Sequence, residues 1–348
     1  MVNWIGRNKK KAFLFLLLIF IFLVLVAITL GTASMSIGEA FYALIKPIPI
    51  LGKLVSNEIS TASGVIIYKI RLPRILMASL VGMGLSVVGT SFQAVFRNPM
   101  ADPYVLGISS GGALGAAIAM LLTAWGYSMP FSAVTIFAFA GALITSFLVY
   151  NIARVGNSLP TVNLLLAGIA ISYLLSACLS ILMVFNSNYM ERIVFWTLGS
   201  FNAASYSQLG IVAPVIFIGT ILMYGLSRDL NLMLTGEESA KSLGIEVEKV
   251  KKLIIIIGSL IVAAAVAFSG VIGFVGLLVP HMLRMVLGPN HKSLIPFSAL
   301  GGAIFLLFSD TAARSILPSS ELPVGAVTAL IGAPYFIFLF LKYKKRGM

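Results

Sequence analysis

The chain has 348 residues, 59% of them apolar and only 10% charged, with a mean hydropathy of +1.04. Soluble chains of ordinary composition run about 45–50% apolar and 25% charged, so a water-soluble fold is excluded, and disorder with it. The formal charge of +13, from 24 Lys and Arg against 11 Asp and Glu, would suggest nucleic acid in a soluble protein. Here the cations sit in short loops between apolar runs, where they report topology instead, so no nucleic-acid partner is expected.

Apolar runs predict ten membrane-spanning helices in an all-α, single-domain chain occupying residues 1–348. Their approximate limits are Ala12–Leu30, Ile75–Phe96, Val105–Trp125, Phe131–Tyr150, Thr161–Phe185, Leu209–Leu226, Leu253–Ser269, Val271–Leu287, Leu294–Phe308 and Val324–Leu341. The first run follows Arg7, Lys9, Lys10 and Lys11; it resembles a signal peptide, but its length favours a retained helix. The seventh and eighth form one long run broken by Gly270, Gly273 and Gly276. A tight turn at membrane depth is required there, permissible only where protein buries it. In the third span Gly107, Gly111 and Gly115 recur at i, i+4 and i+8, a face that lets another backbone approach closely. Pro99 and Pro103 mark a structured turn before it.

With the N-terminus inside, only seven of the 24 cations fall outside: Lys46, Lys53, Lys69, Arg71, Arg74, Arg192 and Arg314. Both termini are therefore expected in the cytoplasm. Arg71 and Arg74 immediately precede a span. There they either snorkel to lipid headgroups or form an external patch for an acidic partner, since a guanidinium binds a carboxylate bidentately. The longest internal charged segment, residues 228–252, contains Glu237–Leu243, of helical composition, ending at Gly244 as a C-cap before a second short helix. Mixed charge there fits either a solvated loop or a knob gripped by a cytoplasmic partner.

No GxxxxGK[ST] phosphate loop is present, so the chain is not expected to hydrolyse ATP itself. The single cysteine, Cys178, and the two histidines, His281 and His291, make no recognisable metal or haem set, and no cofactor is expected. No nucleophilic triad is spaced as one, which disfavours a membrane-embedded enzyme. An ion-coupled secondary transporter should carry a titratable group at mid-membrane. Asp310 and Arg314, at i and i+4 near the outer end of the ninth span, are better placed for an ion pair on one helix face.

Six strings in order resemble the iron-chelate and cobalamin permease family (FecCD type) of binding-protein-dependent ABC importers. They are RLPRILMASLVG from Arg71, NPMADPYVLGISSGG from Asn98, LLLAGIAIS from Leu164, GEESAKSLGI from Gly236, GFVGLLVPHMLR from Gly273 and ELPVGAVTALIGAPYFIFLF from Glu321. The resemblance implies a ten-helix permease subunit in a prokaryotic cell membrane, pairing with a second copy or a paralogue. It implies two cytoplasmic ATPase subunits and an extracytoplasmic substrate-binding protein as partners, besides membrane lipid. It assigns Arg71, Arg74 and Arg314 to docking of the binding protein, and favours docking over snorkelling for the first two. It places Glu237, Glu238, Ala240, Leu243 and Gly244 in a coupling helix against the ATPase. Asn98, Pro103, Leu106 and Gly107 would lie along the translocation path. Ferric siderophore is the expected cargo, with haem, cobalamin or another chelate as the alternative.

Overall fold

The computed structural model describes residues 8–31, 38, 61–130, 132–317 and 320–344. Lys46 and Lys53 lie outside these. Among the described residues the chain is helical throughout, apart from an isolated bridge between Val155 and Ser158. The helices are α1 (Lys9–Thr29), α2 (Leu72–Val95), α3 (Ile108–Ala124), α4 (Ala133–Ala153), α5 (Thr161–Phe185), α6 (Ser187–Thr197), α7 (Tyr206–Gly225), α8 (Ser227–Met233), α9 (Glu237–Ser242), α10 (Val247–Ser269), α11 (Val275–Leu287), α12 (His291–Ala313) and α13 (Val324–Lys344). A single α-turn, Thr61–Val65, and a π-helical stretch, Ile66–Arg71, lead into α2. Among the described residues seven helices are long and apolar enough to cross a membrane, and α3, α11 and α13 are shorter apolar helices. The chain is thus a polytopic membrane protein.

α2 is the central post. It packs against α12, α11, α7 and α10, and its side chains are buried along nearly its whole length. Pro73 sits in its first turn, where a missing N–H costs nothing. α3 lies along α4 through part of the expected glycine face. A Cβ at Gly111 would stand 2.5 Å from the Gly141 carbonyl, and one at Gly115 would meet the Phe137 carbonyl. Gly107 is not on that face: it precedes the helix, with φ of 71°, as its N-cap.

The glycine-broken run resolves as α10, a five-residue link and the 13-residue α11, which at 1.5 Å per residue reaches only about 20 Å. The link is held by protein, as non-helical backbone in a membrane must be. Ser200 donates its N–H to the Ser269 carbonyl at 2.9 Å, while Val324 and Gly325 donate to Gly199 and Leu198 at 3.1 and 3.0 Å. The start of α13 and the turn after α6 therefore close the gap beside it.

Candidate functional site

Three regions carry the residues singled out above. The first is at the end expected to face outward, where Arg71, Arg74 and Arg314 converge. They form neither a lipid-facing set nor an open patch: each is buried, with 4%, 7% and 4% of its surface exposed. α1 ends at Thr29, leaving its last carbonyls without helical partners. Arg71 Nη1 donates to the carbonyls of Ile28 and, at 3.2 Å, Thr29, and Arg314 Nη2 donates to that of Ala27. Two guanidinium groups thus cap α1 at the negative end of its dipole. Arg74 grips Asp310 with Nε at 3.0 Å from both carboxylate oxygens and Nη2 at 2.8 Å, and its Nη1 reaches Glu321 at 2.8 Å. Arg314 Nε stands 3.7 Å from Asp310, the i, i+4 pair expected from the sequence. The five side chains hold one net positive charge and tie α1, α2, α12 and the segment before α13 together.

The second region is the turn between α2 and α3. Asp102 accepts the Tyr104 N–H at 2.8 Å and caps the 3-10 helix Pro103–Leu106, with Pro103 opening it and Gly107 closing it. Burial pushes the Asp102 carboxyl up to about 6, while the bond from Tyr104 opposes the rise. Tyr104 Oη donates to the Ile272 carbonyl at 3.1 Å and accepts its N–H at 3.2 Å, joining this turn to the α10–α11 link. Pro103, Leu106 and Gly107 are buried within the protomer. Pro103 packs toward Gly276, and Leu106 belongs to the main core. Asn98 is partly exposed and accepts the Met100 N–H at 2.9 Å, while neighbouring Met100 is exposed. An alternation of proline and glycine marks the turn but does not say which side chains face inward.

The third region is the segment between α7 and α10. α9 ends as expected at Gly244, whose φ of 85° favours glycine. The N–H groups of Gly244 and Ile245 close on the carbonyls of Lys241 and Ala240 at 2.9 and 3.0 Å, a Schellman ending. The second short helix is not after Gly244: α8 precedes α9, and the residues after Gly244 enter α10 directly. α8 is pinned by Asn231, whose Oδ1 accepts the His291 N–H at 2.8 Å and lies 2.9 Å from its Nδ1.

Only part of α9 can touch another protein. Leu243 is 62% exposed and the Glu238 side chain is almost fully so. Ala240 is completely buried, and Glu237 turns toward Lys251 of α10, with its carboxylate 2.8 Å from the ammonium. Both seat the helix, Glu237 while keeping 30% of its side chain exposed. Lys251, whose side chain is 2% exposed, was missed. Its run of three lysines in four positions looks like an ordinary solvated helix start. Beside α9 a cavity of about 450 Å³ opens between the α4–α5 turn and the start of α10, lined by Arg154, Leu159, Lys241, Glu248 and Lys252 among others.

Comparison with known proteins places this geometry. The FecCD transport family matches residues 17–342. The cobalamin import system permease protein BtuC of Halobacterium salinarum is 43% identical over 82% of this chain and 75% of its own. The hemin transport system permease protein HmuU of Yersinia pestis is 40% identical over 80% of this chain and 83% of its own. A solved structure, an inward-facing conformation assigned to the metal-chelate type of ABC transporter, superposes with a TM-score of 0.82 at 32% identity. It covers 96% of this chain and 99% of that one.

Proposed function

Because the chain belongs to the FecCD transport family and is the permease subunit of an ABC importer, we propose that it carries a bulky metal chelate into the cytoplasm. The match from residue 17 to residue 342 carries this reading, because it spans the outer hub, the cytoplasmic turn and α9 together. A ferric siderophore is the cargo first expected from the sequence. Haem and cobalamin, which the two named relatives transport by their descriptions, are served by the same mechanism.

The working unit contains two permease chains, two ATPase subunits and an external binding protein. α5 supports the pairing: only 11% of its membrane window is buried within one chain, and Tyr173, Val184 and Phe185 stand out from it. Leu243 and Glu238 present the contact to the ATPase, over a helix made rigid by its Schellman ending and seated through Glu237, Ala240 and Gly244. The outer hub, with three guanidinium groups against two carboxylates, keeps a net positive charge that draws acidic residues of the binding protein to this end through its field, since the guanidinium groups themselves are buried, and both chain termini lie in the cytoplasm. The segment from Asn98 to Gly107 shapes the inner end of the path from behind. ATP-driven closure of the ATPase pair moves α9 and reorients the spans; hydrolysis resets them.

The test is uptake of radiolabelled ferric siderophore, haem and cobalamin into vesicles holding this chain, its ATPase and its binding protein. Uptake of one cargo that needs all three proteins and ATP is the expected result and names the cargo. Uptake driven by an ion gradient without ATP would overturn the reading.

A further inference from the structure

Lys251 is the one buried cation at the cytoplasmic end, among the described residues, that the importer reading leaves without a task. Its ammonium stands 2.8 Å from Glu237, at the first position of α9, and 3.5 Å from Glu248, one turn back in α10. It also lies 3.5 Å from the carbonyl of Leu159, in the turn between α4 and α5. Glu248 in turn accepts the Leu159 N–H at 2.8 Å. Both backbone groups of Leu159 and the first residue of α9 are therefore held on one side chain and its neighbour.

Lysine desolvation is expensive, and an ammonium is kept in so enclosed a place only where several acceptors surround it. The two glutamate side chains are each about one-third exposed, at 30% and 32%, so water competes for them once the lysine is gone. Nothing else with a charge joins α9 to the α4–α5 turn among the described residues. The Arg154 side chain, close by, is spent on Gly156 and Asn157.

We propose that Lys251 is a positioning residue for energy coupling. It clamps α9 to both the α10 start and the Leu159 turn, so that a push on α9 moves the ends of α4, α5 and α10 as one body. α5, of whose membrane window only 11% is buried within one chain, would carry that push to the face it offers the second permease chain. This rests on the reading of α9 as the ATPase contact.

The experiment uses the assembled permease–ATPase complex in proteoliposomes with its binding protein, in a Cys178→Ser background. Spin labels at Asn157 and Ser242 report the distance between the turn and α9. Lys251→Met is expected to broaden that distance distribution and to lower cargo transported per ATP hydrolysed at least fivefold, with the ATPase still co-purifying. Lys251→Arg, which keeps the charge, should restore most of the coupling ratio. Glu237→Gln, a milder break from the exposed side, should lower it by about twofold to threefold and stands in where Lys251→Met does not fold. An unchanged distance distribution with an unchanged coupling ratio in either variant overturns the clamp. Leu243→Asp separates the two levels: if it leaves ATPase association intact, the contact reading of α9 fails whatever Lys251 does.

Discussion

The molecule carries a buried cationic hub at each end, and the two are built differently. At the outer end, Arg74 offers a planar fork that meets Asp310 with two nitrogens and Glu321 with a third, while Arg71 and Arg314 cap α1. Asp310 is wholly buried, so each partner depends on the other for its solvation. At the inner end, Lys251 offers a point charge to two partly exposed glutamates and a carbonyl. A guanidinium fixes direction as well as charge, whereas an ammonium is a compact point charge that constrains the direction of its acceptors less. The outer hub is suited to hold four segments in one arrangement. The inner one is suited to keep hold of two loops while they move.

The largest effect should come from Asp310→Ala, which strands Arg74 and Arg314 without their buried counter-charge. A loss of about 3–5 kcal/mol is expected, read as a fall in the thermal unfolding midpoint of detergent-purified protein and in its yield. An Arg74→Met, Asp310→Leu pair that recovers most of the midpoint would sharpen the contrast; an Asp310→Ala protein as stable as the parent would break it. Next in size is Leu243→Asp, expected to reduce ATPase co-purification more than tenfold without lowering the permease's own midpoint. Because Leu243 is exposed, a fall in that midpoint would show that α9 supports the fold rather than a partner.

The exchanges Arg74→Lys and Lys251→Arg put the comparison itself on trial. Loss of the bidentate pair should cost about 1–3 kcal/mol at the outer hub, while Lys251→Arg should leave the midpoint within the error of the measurement. Equal effects at both ends would mean that charge alone matters. A pH-dependent effect is expected at Asp102, in the turn between α2 and α3. Its carboxyl titrates near 6 in the folded chain and 3.8 is its ordinary value, so ionisation is disfavoured by folding. The cost is absent below about pH 4, grows as pH rises to 6 and is complete above it. Asp102→Asn, which still accepts the Tyr104 N–H, should raise the midpoint by a few degrees at pH 7.5 and change nothing at pH 4. A constant difference across that range would show that the side chain's shape, not its charge, is at issue.

Much of this was legible in the residues. Apolar runs marked an all-helical, polytopic chain, and Thr161–Phe185 matches its predicted limits; the glycine break before α11 and the ending of α9 at Gly244 also agree. These are local properties: a run of apolar side chains has nowhere else to go in a bilayer, and a positive φ selects glycine. Limits failed where charge entered a helix. α10 begins six residues earlier than its apolar run because Lys251 and Glu248 satisfy one another there, and α12 continues beyond Phe308 because Arg74 neutralises Asp310. α6 and α8, short and amphipathic, have too few apolar residues to stand out from loops.

Repeated membrane crossing, the lack of an ATPase motif and the ordered motifs of a FecCD permease can all be read along the chain. All of these depend on the composition and order of residues near one another in the chain. Which charges face inward is set instead by contacts between distant segments. Arg74 meets Asp310 across 236 positions, Arg71 reaches α1 across 43 and Lys251 reaches Leu159 across 92. Whether a charged side chain is a docking group, a cap or a clamp depends on what stands within about 3 Å of it. That neighbourhood is assembled from distant segments, so no local pattern records it.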